Sequence, residues 1–484
     1  MSILDELNLT PFEWSMTDVT APSPMEFVIR LCCIGEVDTN LFTEATLCAL
    51  KQQPLLQANA SLGPTHLTSF WRPASNTVPV IQWLDGDPSI GRGYPDSFLP
   101  IDLETEIGFR LYGWRFNIDQ EPRMELRFVF HHACCDGKGS LDFIAQVLQN
   151  LSRLVDGQSA DTTSRFDEQS VLKRGRSQRR EISLLNRIRR TLIVRPKRAA
   201  NMLLIRPRSL GSKFTCGAEK PALQNLFADP PRQCSTTLDQ TTTRQLGVFA
   251  KSHSATTNTV LARELFHALN ECAGCATSDP DRKRALRLLI PFSLREERHV
   301  RMPAANCVSM AYIEANQNLL DQDGDDNPVL LTDLVRQFKN IRHWNLDHAW
   351  NETIETYAKL WPLIKPFKRL KSSKRSQQNR RPIATTVMSN LGRVFKHEDC
   401  VNHEGEFSVG SLTVKTVHLA LPCNADLSMN FAVNFYCNRL TLDVSYLPSI
   451  VSRSTAQNLL DSWKSRIARL VEPSQAPELA RSAV

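Results

Sequence analysis

The sequence predicts an α/β protein of two lobes, on three observations. Strand-like and helix-like runs alternate through residues 26–155 and again from about 234 onward. Between them, residues 159–233 are polar, basic and interrupted by proline. At 484 residues the chain is also too long for one core, since domains commonly run to roughly 100–200 residues. The expected units are an N-terminal lobe over 1–158, a basic inter-lobe linker over 159–233 and a C-terminal lobe over 234–484, the last with a basic insertion at about 345–382.

In the first unit, EFVIRLCCIGEV (26–37) reads as a strand from its β-branched and apolar content, and the following DTNLFTEATLCALKQQP as a helix capped near Asp38 or Thr39. LLQANASL, HLTSFWR, VPVIQWL and GFRLYGWRFN are further strand candidates. RMELRFVF (123–130) alternates cleanly, with Met124, Leu126, Phe128 and Phe130 on one face and Arg123, Glu125, Arg127 and Val129 on the other. It runs into HHACCDGKG (131–139). Next, SLDFIAQVLQNLSRLV places Leu141, Ile144, Leu148 and Leu151 on one helical stripe, with Ser140 as the expected N-cap. In the second unit, helices are expected at TTTRQLGVFAKS, NTVLARELFHALNECA and LLTDLVRQFKNIRHW, and strands at 284–294, 306–315 and ATTVMSNLG. A hairpin over 427–446 turns at Cys437-Asn438-Arg439, and a final helix packs Leu459, Leu460, Trp463, Ile467 and Leu470.

Composition narrows the class. With 42% hydrophobic and 23% charged residues the chain can bury a sizeable core, and no window holds the roughly 20 apolar residues of a membrane span. The N-terminal stretch has acids and no signal-peptide pattern, so a cytoplasmic location is expected. The 13 cysteines are odd in number and scattered, several (Cys32, Cys33, Cys307, Cys437) within apolar runs, which reads as reduced thiols rather than a disulfide framework. Cys272-x-x-Cys275 lacks a second ligand pair, and no metal is expected. The net charge of +7 concentrates in residues 173–213 and 365–381. Those runs hold almost no aromatics, which argues against nucleic acid and leaves a phosphorylated cofactor, an acidic carrier protein or an anionic membrane.

HHACCDGKG is a strand-to-helix turn with three chemical uses. Zinc is disfavoured because adjacent residues leaving a strand point to opposite faces, so His131 and His132 converge only with distortion. A cysteine nucleophile is disfavoured because the apolar Ala-Cys-Cys run offers nothing to lower a thiol pKa. His132 shares the parity of the Met124–Phe130 face and points into a semi-buried seam. There it is either a general base or a histidine satisfied by backbone carbonyls, and the residues alone leave both open. Asp136 can brace the loop, and Gly137 and Gly139 permit positive φ and a close approach to the next helix.

The run His131-His132-Ala-Cys-Cys-Asp136-Gly137 resembles the HHxxxDG signature of the CoA-dependent acyltransferase superfamily, which includes nonribosomal-peptide condensation domains, alcohol acetyltransferases and polyketide-associated acyltransferases. Four further segments resemble the family in order along nearly the whole chain: PLLQANASL (54–62), LPIDLETEIGFRLY (99–112), LLIPFSLR (288–295) with Asn306 after it, and Ser389-Asn390-Leu391-Gly392. The chain departs from the family at the two basic insertions and at Ala304-Ala305-Asn306, where many relatives have Gly before Asn.

The resemblance implies two chloramphenicol-acetyltransferase-like lobes, each a mostly antiparallel mixed sheet with helices, and an active-site tunnel at their interface. It implies an acyltransferase in which His132 deprotonates a hydroxyl or amine acceptor that attacks an acyl-CoA or acyl-phosphopantetheine thioester. No cofactor is implied beyond that donor. Asp136 is then structural and paired with Arg295, His131 and Gly137 support the turn, and Asn306, Ser389 and Asn390 are candidates for the tunnel wall or the oxyanion. Two alternatives stay open: a noncatalytic condensation-like module, and a membrane-associated lipid or alcohol acyltransferase whose amphipathic basic stretch, 182–207, makes a peripheral membrane contact.

Overall fold

The computed structural model describes residues 7–17, 25–74, 78–88, 100–161, 168–172, 174–175, 183–204, 207–208, 210, 230–272, 285–295, 302–324, 327–356, 358–359, 383–395, 401–424 and 426–471. Cys275 and most of the basic insertion (360–382) lie outside these residues.

Strands are numbered along the chain. The first lobe holds a six-stranded sheet in the order β12 (Ser408–Val409), β13 (Leu412–Ala420), β2 (Glu26–Ile34), β7 (Glu121–His131), β6 (Phe109–Ile118) and β5 (Val80–Asp85). It is antiparallel except at β5–β6. The second sheet has the order β10 (Val308–Ala315), β9 (Leu286–Ser293), β11 (Thr386–Arg393), β14 (Met429–Tyr436), β15 (Arg439–Tyr446) and β8 (Arg232–Leu238). Here β11 runs parallel to both β9 and β14. A small sheet of β1 (Leu7–Asn8), β4 (Phe70–Pro73) and β3 (Ala58–Ser61) closes one end. This is the mixed, mostly antiparallel two-lobed architecture that the patterning and the resemblance predict.

The alternation of β7 does what it implies: Met124, Leu126, Phe128 and Phe130 are fully buried against Phe143, Ile144, Leu148 and Leu151 of the Gly137–Val155 helix. The opposite face is covered as well, with Glu125 and Arg127 buried. Arg30 of β2 pairs with Glu125 at 3.6 Å, and the Arg127 guanidinium lies 4.4 Å from the centroid of the Trp114 ring of β6. The sheet is extended beyond β2 by β13. Although it belongs to the C-terminal half of the chain, it pairs along β2 from Thr413 opposite Ile34 to Ala420 opposite Val28.

Turns are set by local chemistry. Cys437 and Asn438 both adopt positive φ, 51° and 58°, the two-residue connection whose twist suits a hairpin. Asp38 caps the Thr39–Leu50 helix by accepting from Asn40 N at 2.7 Å. One expected cap is corrected: the helix after the HHACCDGKG turn begins at Gly137, not after Ser140, because the Asp136 carboxylate accepts from Gly139 N at 2.7 Å. Part of HLTSFWR is also corrected, since His66–Thr68 form a 3-10 turn and the strand begins at Phe70.

Candidate active site

β7 ends at His131, and His132 begins the turn, its amide held by the Met25 carbonyl at 2.9 Å at the start of β2. The two histidines have separate environments. His131 is buried, its amide donates to Gly108 O at 3.0 Å, and its Nδ1 accepts from Ala133 N at 3.2 Å. Burial, with the neighbouring His132 ring adding to it, pushes its pKa down to about 3, so it is a neutral turn residue. His132 is partly exposed, and its ring meets the Phe27 ring edge-on at 5.1 Å. Burial lowers its pKa too, against hydrogen bonds to the backbone at His132 and Cys135 and the charge of Asp136, so the imidazole is mostly unprotonated at neutral pH.

The second lobe reaches into the turn through the connection between β9 and β10. Asn306, buried, donates its side-chain amide to the His132 carbonyl at 2.7 Å, with His132 Nδ1 3.4 Å away. Asp136 is enclosed completely. Its Oδ1 accepts from Gly139 N and from Arg295 Nη2 at 3.2 Å, and its Oδ2 accepts from Cys307 N at 2.8 Å. Arg295 also donates to Ala305 O at 2.9 Å. One carboxylate thus caps the first lobe's helix and binds two points of the second lobe.

Gly137 and Gly139 have no positive φ, so the expected backbone freedom is not their reason. Space is. A Cβ on Gly137 would lie 2.6 Å from Leu391 Cδ2, and one on Gly139 would lie 2.5 Å from Arg295 Nη2 and 3.2 Å from the Ala304 Cα. Cys134 and Cys135 are buried filler whose thiols burial holds far above their ordinary pKa, which leaves no thiolate there. Among the described residues no three His, Cys, Asp or Glu side chains are grouped to hold a metal ion.

Ser389 and Asn390 lie on β11, half-buried, just before Leu391, which abuts Gly137. The Asn390 amide donates to Asn258 Oδ1 at 3.2 Å and its Oδ1 accepts from Gly392 N at 2.7 Å, so both ends of that side chain are engaged. Sequence reasoning missed three contributors: Phe27, Gln53, whose Oε1 accepts from Ala304 N at 2.7 Å, and Leu391. The alternation of residues 26–34 could have marked Phe27 as a partner of the Phe130 face. A shallow concavity of about 490 Å³, lined by Glu36, Asp85, Arg115 and Arg123, lies at the opposite end of this sheet and takes no part in the site.

Two α/β lobes joined by a crossed strand are a fold that this chain shares with solved condensation domains and acyltransferases. The fold is similar to that of the trichothecene 15-O-acetyltransferase TRI3 from Fusarium sporotrichioides (TM-score 0.64, 12% identity, 96% of this chain and 94% of that one). It is also similar to the starter condensation domain of rhizomide synthetase, solved as a mutant in complex with C8-CoA (TM-score 0.60, 14% identity, 96% and 94%). Polyketide synthase associated protein 5 of Mycobacterium tuberculosis is another such structure (TM-score 0.59, 10% identity, 96% and 98%). By sequence, no protein-family model and no curated protein matches the chain.

Proposed function

We propose that the protein is an acyltransferase that moves an acyl group from a thioester of coenzyme A, or of a carrier-bound phosphopantetheine, to a hydroxyl or amine. The observation that carries this reading is His132: partly exposed, mostly neutral, and held by both lobes of an acyltransferase-type fold. For Nε2 to act, the ring proton sits on Nδ1, and Asn306 Nδ2 gives its hydrogen bond to the His132 carbonyl at 2.7 Å rather than to Nδ1 at 3.4 Å, which leaves Nε2 for the acceptor. Nε2 takes the acceptor's proton as its oxygen or nitrogen attacks the thioester carbonyl. The C–S bond then breaks, and the leaving thiolate takes the proton back from the imidazolium.

A thioester is already activated, so a positioned base and proximity between the lobes suffice. Ser389 is the better candidate for the oxyanion, because the Asn390 amide is engaged by Asn258. The basic runs suit the phosphates of coenzyme A or an acidic carrier, and a cytoplasmic setting suits the free thiols.

The test is release of free thiol from a panel of acyl-CoA and carrier-bound thioesters, with alcohol and amine acceptors, by the wild type and His132→Ala. A loss of roughly 10²- to 10⁴-fold in kcat/KM is expected for the variant. Equal rates would remove His132 as base, and a folded wild type that turns over no thioester would favour a noncatalytic module.

A further inference from the structure

Residues 184–204, in the stretch expected to be a linker, form one continuous helix whose two faces differ. Leu184–Arg189 is α-helical, Arg190–Val194 makes a π turn, and Arg195–Leu204 returns to α-helix. Pro196 accounts for the π turn. It has no N–H to donate and its ring crowds the carbonyl four residues back, so the ladder widens by one residue just ahead of it.

One face is pinned to the second lobe. Arg190 is buried and donates to Asn345 O at 3.2 Å and to Glu352 at 3.1 Å, and Arg195 pairs with Glu352 at 3.0 Å. The Arg198 guanidinium stacks 3.9 Å over the Tyr312 ring, whose hydroxyl donates back to Arg198 O at 3.1 Å. These contacts fix which way the helix faces.

The outward face is aliphatic. Leu184 is 69% exposed, Leu185 79%, Ile188 48%, Leu192 70% and Ile193 57%. At ~100° per residue an unbroken α-helix would put Ile193 on the far side from Leu184, and the extra residue of the π turn rotates it back toward one ridge. Arg187, Arg189 and Lys197 are exposed alongside, and no Asp or Glu occurs from Ser183 to Leu204. A basic, acid-free border on an exposed aliphatic ridge is complementary to a surface that is anionic outside and hydrocarbon beneath.

We propose that this ridge docks the protein on an anionic lipid bilayer, with Leu184, Leu185, Ile188, Leu192 and Ile193 entering the headgroup–acyl boundary and Arg187 and Lys197 meeting lipid phosphates. The docking is independent of the acyl-transfer chemistry. The full chain is sedimented at low and high salt with vesicles of phosphatidylcholine alone and of phosphatidylcholine with phosphatidylserine.

Binding to the anionic vesicles, weaker at high salt, is expected. Leu185→Glu combined with Leu192→Glu should lower the partition coefficient by roughly a hundredfold or more. Arg187→Glu with Lys197→Glu should weaken binding to the anionic vesicles while leaving any binding to neutral ones. Circular dichroism and thermal midpoints should match the wild type, since the replaced side chains lie outside both cores. Failure of the wild type to sediment at low salt, or equal binding by Leu185→Glu/Leu192→Glu, overturns the proposal. So does a dimer, seen by light scattering, that this pair of substitutions breaks without any vesicle binding, because that outcome assigns the ridge to a second copy.

Discussion

His131 and His132 are adjacent and chemically alike, and the backbone alone separates them: one ends a strand inside the sheet, the other opens the turn at the lobe boundary. Glu26 shows the same dependence on place. It sits opposite His131 on β2, buried, with Oε1 accepting from Ile101 N at 2.6 Å. Burial raises its pKa to about 7, while that hydrogen bond and the charge of Arg110 pull the other way and Glu106 adds to the rise. Its folded pKa therefore exceeds its unfolded value of 4.5, so the folded state keeps a proton that the unfolded chain releases. Stability from this group is greatest below pH 4.5 and falls as pH rises to about 7, by roughly 3 kcal/mol at most. Glu26→Gln keeps the acceptor for Ile101 and should flatten this slope in urea unfolding measured between pH 5 and 8. An unchanged slope would show that Glu26 is ionised in the fold.

β13 ties the two sheets together through a polar cluster. Asp443 on β15 accepts from Leu419 N at 2.9 Å, Ser235 Oγ at 2.7 Å and Gln233 Nε2 at 2.9 Å, and lies 3.0 Å from His418 Nδ1. Burial and Arg30 oppose a charge on His418, yet Asp443 and the Cys32 side chain raise its pKa to about 9. In turn, against burial, His418 and Arg30 hold the Cys32 thiol below its ordinary value, so Cys32 is not the passive hydrophobe its strand suggested. Because the folded pKa of His418 lies above the unfolded 6.5, its contribution is full below pH 6.5 and is lost as pH rises through about 9. His418→Leu should cost roughly 3 kcal/mol at pH 6 and remove the fall between pH 7 and 9, read from thermal or urea melts. An unaltered alkaline slope in the variant would sink this assignment.

Over the whole molecule, the lobes meet at buried charge. Asp136 and Arg295 come from different lobes, 159 residues apart, and both are nearly inaccessible. Truncating one partner leaves the other buried without its countercharge, so Arg295→Ala should lower unfolding stability by about 3–5 kcal/mol. Asp136→Asn, which keeps an acceptor for Gly139 N, should cost less than Asp136→Ala. Equal losses in urea melts would show that the helix cap contributes nothing. Among the described residues no helix is long and apolar enough to cross a membrane.

Much of this was legible in the sequence, because periodicity and turn chemistry are local. The alternation of 123–130, the stripe Leu141–Leu151 and the turn at Cys437-Asn438 each depend on neighbours within a few residues, and the run from His131 to Gly139 marks the strand-to-helix turn. The crossing of β13, the engagement of Asn390 by Asn258 and the need for bare glycines at 137 and 139 were not legible. Each depends on atoms brought from more than a hundred residues away, and no local pattern encodes which side chain arrives. The sequence by itself determined the two α/β lobes and the histidine turn. Only the tertiary structure decided which histidine is shut in and which stays partly open, because burial and the second lobe's Asn306, Arg295 and Cys307 set that difference.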